Sequence, residues 1–281
     1  MIASNYLIKN TFNSQPVGRL FMAGLVCSFM LGAGVSVANA NVSITDDFEA
    51  LGDGVQLNGT TTTTGNATWS ANTAVVGTEF GTAEDPNLGG ALAVINFDSN
   101  VTPALDPAVS TYSNVSLSMD LQVAGSGTQG IQMALGDDTL QNSFFGGGGN
   151  GAKVYVYLYG DGSFNLFSRF NSTPTIVANG TPGSSGYSFN SGNTGFNTVL
   201  LELDTLNDTA DLSINGTVVA SGVSVADFTL AAAGVRFNAG ANSQQIDNFS
   251  FAAIPEPSTI SVMLGAVVGL VVWLRRRIKS S

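Results

Sequence analysis

The sequence predicts an all-β fold, a single β-sandwich, and three observations lead there. Apolar residues recur at every second position in several short runs, Gly, Asn, Ser and Thr separate those runs, and no ten-residue stretch of the middle shows a helical period. About ten to thirteen short strands of this kind fill a sandwich or a barrel. Helices are expected only at the two ends, in a signal segment and in a membrane segment.

The first element, 1–40, reads as an export signal. Lys9 and Arg19 form a positive leader, Leu20 to Val37 is apolar, and Ala38-Asn39-Ala40 has the small-x-small shape that signal peptidase cuts. Cleavage is expected after Ala40; an uncleaved N-terminal anchor is the alternative. Cys27, the one cysteine, is flanked by Val26 and Ser28 inside that apolar run and is not a lipobox. The mature chain therefore has no cysteine, and the sequence has no histidine. Disulfides, His- or Cys-based zinc sites, Cys nucleophiles and Ser-His-Asp triads are all excluded.

The middle, 41–253, supplies the strands. Ile44 to Glu49 opens it and Ala91 to Phe97 follows. Val115, Leu117, Met119, Leu121 and Val123 alternate with Ser116, Ser118, Asp120 and Gln122, as in a half-buried strand. Gly130 to Leu135 comes next. KVYVYLY, then Gly160-Asp161-Gly162, then SFNLFSR read as a hairpin, since glycine supplies the positive φ that tight turns require. Leu200 to Leu206 precedes Ala210 to Ile214, an Asn215-Gly216 turn and Thr217 to Ala220, a second hairpin; Gly234 to Asn238 and Ile246 to Phe251 close the domain. Thr60 to Thr64 and Gly146 to Gly149 are low-complexity loops that do not divide it.

Charge narrows the partners. Between residues 41 and 253 only Lys153, Arg169 and Arg236 stand against nineteen acids, a balance of −16. Such a domain repels phosphate backbones, so nucleic acid is not an expected partner. Glu202 and Asp204 alternate on one strand and face the same way, the only beginning of a two-carboxylate hydrolytic site. A hydrolase needs both a nucleophile and a proton donor, and a solvated strand face is the plainer account of the pair. No catalytic residue is expected. Calcium suits the acids better, because it takes six to eight oxygens. Asp46, Asp47 and Asp247 converge if the terminal strands pair, though acids in turns also serve as turn formers. For sugar binding, Tyr155, Tyr157 and Tyr159 share one face of KVYVYLY and Trp69 is the one Trp of the mature domain. With Val154, Val156 and Leu158 in the core, the tyrosines form an outer glycan-stacking platform; inverted, they are core residues with tethered hydroxyls.

The domain's order of parts points to a family of sandwiches. A start of Ile44-Thr45-Asp46-Asp47-Phe48-Glu49, the strand Leu201-Glu202-Leu203-Asp204, the hairpin around Asn215-Gly216 and a finish of Ile246-Asp247-Asn248-Phe249-Ser250-Phe251 resemble the concanavalin A-like and laminin-G jelly rolls. That resemblance implies first and last strands side by side, and glycanases of the fold use a Glu-x-Asp-x-x-Glu strand. Fold does not give function.

The last element, 254–281, ends the chain with Ile254-Pro255-Glu256-Pro257, an uncharged run through Leu274 and then Arg275-Arg276-Arg277. The prolines break the chain before the next helix. The stretch from about 258 to 274 is at the short end of what spans a bilayer, and the cations mark its cytoplasmic side. This order resembles the PEP-CTERM sorting signal. The resemblance implies an exosortase that recognises Pro255, Glu256 and Pro257, with Arg275, Arg276 and Arg277 as the membrane stop; an ordinary single-span anchor is the alternative.

Together these readings predict an exported, non-enzymatic protein, held at the inner membrane in transit and destined for the cell surface or extracellular matrix. Its expected partners are signal peptidase, exosortase and an exopolysaccharide. A polysaccharide hydrolase or lyase of the same fold is the first alternative, and an ice-binding surface the second.

Overall fold

A computed structural model of the chain describes residues 42–50, 55–65, 67–72, 74–76, 83–84, 92–97, 112–123, 129–137, 145, 151–170, 173–191, 195–237, 244–255 and 275. The leader, Gly146 to Gly149, Glu256, Pro257 and the 258–274 run lie outside the described residues, as do Arg276 and Arg277. Among the described residues no helix is long and apolar enough to cross a membrane.

Among the described residues fifteen strands follow in chain order: β1 (Val42–Asp46), β2 (Trp69–Ala71), β3 (Val75–Val76), β4 (Ala83–Glu84), β5 (Leu92–Asn96), β6 (Tyr112–Gln122), β7 (Gly130–Gly136), β8 (Ala152–Tyr159), β9 (Phe164–Phe170), β10 (Thr173–Gly180), β11 (Asn197–Asp204), β12 (Thr209–Ile214), β13 (Thr217–Ser224), β14 (Ala232–Phe237) and β15 (Gln245–Pro255). A short helix, α1 (Pro182–Ser185), follows β10. The first sheet runs β13-β12-β11-β6-β15-β4-β3, with β1 also on β15, and the second runs β10-β9-β8-β7-β14-β5-β2. Every pairing is antiparallel. The protein is an all-β sandwich of two antiparallel sheets.

Alternation in the sequence becomes two faces in space. Leu117, Met119 and Leu121 of β6 and Val199, Leu201 and Leu203 of β11 share one buried cluster with Ile131, Met133 and Leu135 of β7 and Val154, Val156 and Leu158 of β8. Burying such side chains contributes roughly 1.5–3 kcal/mol each before entropy is counted. The expected hairpins form: in the Asn215-Gly216 turn φ is 49° and 77°, and in the other Gly162 has φ 83°. A Cβ on Gly162 would also run into Phe189 and Pro182, so glycine is required there twice over.

The first and last strands lie side by side, with Val42 opposite Ala253 and Asp46 opposite Phe249. β15 also pairs with β6 through a register shift between Asp247 and Ser250, where Asn248 takes φ 49°. The ladder continues to Pro255, opposite Tyr112. Two expectations need correcting in detail. β1 stops at Asp46 rather than Glu49, because Phe48 turns into positive φ (56°), held by its N–H donating to Asp46 Oδ1 at 3.0 Å. β11 stops at Asp204, whose carboxylate accepts from Leu206 N, Asn207 N and Asn207 Nδ2 and so closes the following turn. β10 is unforeseen: Thr173-Pro174-Thr175-Ile176 is exposed throughout and shows no alternation, as suits a strand on a sheet edge.

Candidate functional site

The tyrosine row lies on the outer face of the second sheet. Val154, Val156 and Leu158 are fully buried in the main core, so Tyr155, Tyr157 and Tyr159 project the opposite way. They are not simply solvated. Tyr155 is only 6% exposed, stacked on Phe167 of β9 with ring centroids 4.8 Å apart and planes 14° apart. Tyr157 and Tyr159 are half-buried and stack at 5.6 Å and 13°, and Tyr157 meets both Tyr155 and Phe167 edge-on. Asn165 Nδ2 donates to Tyr159 Oη at 3.2 Å. The result is an aromatic strip running along β8 and β9.

Small residues set what covers that strip. Ala134, Ala152 and Ala232 leave room on the outer face, and Phe145 occupies it, packed with Tyr155. Arg236 Nη1 donates to Phe145 O at 3.2 Å, tying the cover down. Register aligns Arg236 with Gln132 and Gln132 with Tyr157. Burial raises the Tyr155 hydroxyl above its ordinary value against the opposing pull of the Arg169 guanidinium. Burial also raises Tyr157, with Arg236 opposing. Both hydroxyls stay protonated at neutral pH and can donate to an acceptor. Lys153 Nζ pairs with Asp137 at 3.1 Å at one end of the same face.

Trp69, the other candidate glycan contact, is placed differently. It is 1% exposed, sits edge-on to Phe249 at 5.0 Å and touches Phe48 at 5.9 Å. A ring so enclosed has no face to offer a sugar. Its Nε1 donates to Asp46 Oδ2 at 2.6 Å. Thr63 Oγ1 lies 3.1 Å from Asp46 Oδ1 and 2.6 Å from Asp47 Oδ1, so the threonine tract read as a bare polar loop is a clamp on the end of β1.

The same bonds bear on the three carboxyls expected to take calcium. Both oxygens of Asp46 are taken by donors, and burial raises its carboxyl above the ordinary value. Asp47 is lowered by Thr63. Asp247 stands opposite Asp120 on β6 and is raised by burial first, then by Asp120, Asp47 and Glu49. Among the described residues no group of three acids is placed to hold a metal.

On the outer face of the first sheet, Glu202 and Asp204 face the same way, and register adds Asp211 directly opposite Glu202. Spacing alone could not reveal Asp211, which comes from the neighbouring strand. The three line a shallow cleft of about 310 Å³ with Asn114 and Ser116. Glu202 is exposed, Asp211 Oδ1 accepts from Gly222 N at 2.6 Å, and Asn207 holds Asp204 below its ordinary value.

No protein-family model and no curated protein matches the chain. Among solved structures it is similar to the carbohydrate recognition domain of Emp47p, at 12% identity and a TM-score of 0.51, over 76% of this chain and 94% of that one. This likeness shows the fold. The chain is also similar to the metal-free carbohydrate recognition domain of Emp46p, at 13% identity and 0.48, over 66% and 88%. Domain 4 of AbnA, an extracellular arabinanase from Geobacillus stearothermophilus solved with arabinotriose, matches at 16% and 0.46, over 78% and 95%.

Proposed function

We propose that this is an exported, exosortase-sorted protein of the cell surface or extracellular matrix, whose sandwich holds exopolysaccharide on the outer face of the second sheet. The observation that carries the reading is the tyrosine strip, turned away from a complete aliphatic core. Pyranose faces stack on aromatic rings while hydroxyls need hydrogen-bond partners, and the strip joins Tyr157 and Tyr159 to Asn165 and Gln132. A solved structure of similar fold, that of Emp47p, is a carbohydrate recognition domain, which supports the reading. Export and sorting rest on the leader, the Pro255-Glu256-Pro257 segment and the arginines after Leu274.

The role is structural or adhesive, not hydrolytic. A glycanase needs a carboxyl kept protonated by burial beside an ionised one. Asp204 is held below its ordinary value by Asn207, which disfavours it as the acid, and Glu202 stands exposed on the strand face. Glycan retention by the purified protein, with no release of reducing ends, is the expected result. Tyr157→Ala should weaken retention about tenfold while leaving the folded signal intact. Reducing ends that disappear in Glu202→Gln would establish the hydrolase instead, and the mass of the protein recovered from its host tests the sorting.

A further inference from the structure

The charges of the sandwich are sorted by sheet. All three cations of the 41–253 region fall in the second sheet, Lys153 on β8, Arg169 on β9 and Arg236 on β14. The strands β7, β8, β9 and β14 hold no Asp or Glu. The first sheet is the reverse: β6, β11, β12 and β15 carry Asp120, Glu202, Asp204, Asp211 and Asp247 and no Lys or Arg. Position parity puts each cation outward. Lys153 shares the face of Tyr155 and Tyr157, Arg169 that of Phe167, and Arg236 alternates with the buried Val235 and Phe237. Solubility does not call for this sorting, since nineteen acids already supply it.

We infer that the tyrosine face binds an anionic glycan, a polymer bearing carboxylates of the uronic-acid kind, with Arg169 and Arg236 meeting the charges and Tyr157 and Tyr159 the ring faces. This rests on the glycan-binding reading above and gives that site its ligand class. A guanidinium fork matches a carboxylate in two parallel hydrogen bonds, and stacking and charge act together on one charged sugar. Strand parity turns Arg236 outward, and its Nη1 is held by Phe145 O. Arg169 and Arg236 are three strand spacings and about four residues apart, so their Cα atoms stand roughly 20 Å from one another. One sugar cannot reach both; a chain of several can. Lys153 contributes less, being paired with Asp137. Lys153 and Arg169 themselves line a cleft of about 520 Å³ with Asp137, Asp208 and Asp227, so carboxylates border the anionic path at that end.

The test uses the full-length chain in non-ionic detergent on immobilised polygalacturonate, on the same polymer with its carboxylates methyl-esterified, and on a neutral glucan. Binding to the acid polymer should exceed the esterified form by about tenfold or more, weaken in 0.5 M salt, and rise with oligomer length. Arg236→Gln and Arg169→Gln should each remove most of that preference, with unchanged melting temperature as the control for folding. Lys153→Gln, at a half-buried position, should change it little. Equal binding to all three polymers overturns the anionic assignment and leaves glycan binding standing. Binding to none overturns both. Equal capture of a single-stranded DNA oligonucleotide, or self-association that Arg236→Gln abolishes, would assign the face to another polyanion or to a second copy's acidic sheet and sink the inference.

Discussion

Asp46 shows how one side chain ends a strand and anchors a core. Its carboxylate takes the Trp69 indole, the Phe48 N–H and Thr63, and it stands 3% exposed beneath the Thr60–Thr64 turn. Trp69 is in turn wedged between Phe48 and Phe249, one from each end of the domain. The acid-and-Phe pattern at both termini is thus a single cluster about one tryptophan. Asp46→Ala leaves a buried indole N–H and a backbone N–H without acceptors, and should cost about 3 kcal/mol in denaturant unfolding. In a double-mutant cycle with Trp69→Phe, the Asp46–Trp69 coupling should be on the order of 1–2 kcal/mol. Additive effects would mean that the 2.6 Å bond does not hold the two ends together. Tyr187 plays a similar part on the second sheet. Its hydroxyl donates to Gly162 O, and burial pushes it up to about 12, so it tethers the loop after α1 to the β8–β9 turn.

At the scale of elements, the Asn215-Gly216 hairpin is more than a turn. Asn215 Nδ2 donates to Ser188 O and to Asn197 Oδ1, while its Oδ1 accepts from Thr198 N. Asn197, wholly buried on β11, exchanges bonds with Asn190 N and O. Three amides therefore tie β11, the β12–β13 hairpin and the 188–190 segment together. Asn215→Ala loses both the positive-φ preference and this network and should cost about 2–3 kcal/mol; Asn215→Asp, which keeps one acceptor and the turn preference, should fall between. Urea midpoints of the two variants check the order. The hairpin was legible in the sequence because Asn-Gly acts locally, and β6, β8, β9 and β11 were legible because alternation is also local. The network was not, since Asn190 and Asn197 look like any loop amide until register brings them to Asn215. Asp211 beside Glu202 was hidden for the same reason. The tyrosine row lay between: its period was plain, but which face met the core depended on β7 and β9. Trp69 misled as a glycan contact because its partners, Asp46 and Phe249, are distant in the chain.

For the whole molecule, the sorting of charge by sheet sets a pH response. Asp46 and Asp247 have carboxyls raised above 3.8, mainly by burial, so the folded state binds their protons more tightly than the unfolded chain does. Their contribution is fully present below that value and is lost as pH climbs through the raised folded values. Asp47 and Asp204 are lowered by Thr63 and Asn207, so they stabilise above 3.8 and lose that as pH falls through their folded values. Both sets act on top of a net −16 in the 41–253 region, whose self-repulsion eases on acidification. The melting temperature should therefore rise from pH 7 to about 4.5 and fall again below about 3.5. Asp247→Asn removes a charge that faces Asp120, Asp47 and Glu49 while keeping an acceptor for Asn248 N, so it should raise the melting temperature at pH 7 and change little at pH 4. A melting temperature that falls steadily from pH 7 downward would mean that the lowered carboxylates govern this protein. The acidic sheet would then be a stabilising element, and the separation of charge between the two faces would have cost the fold nothing.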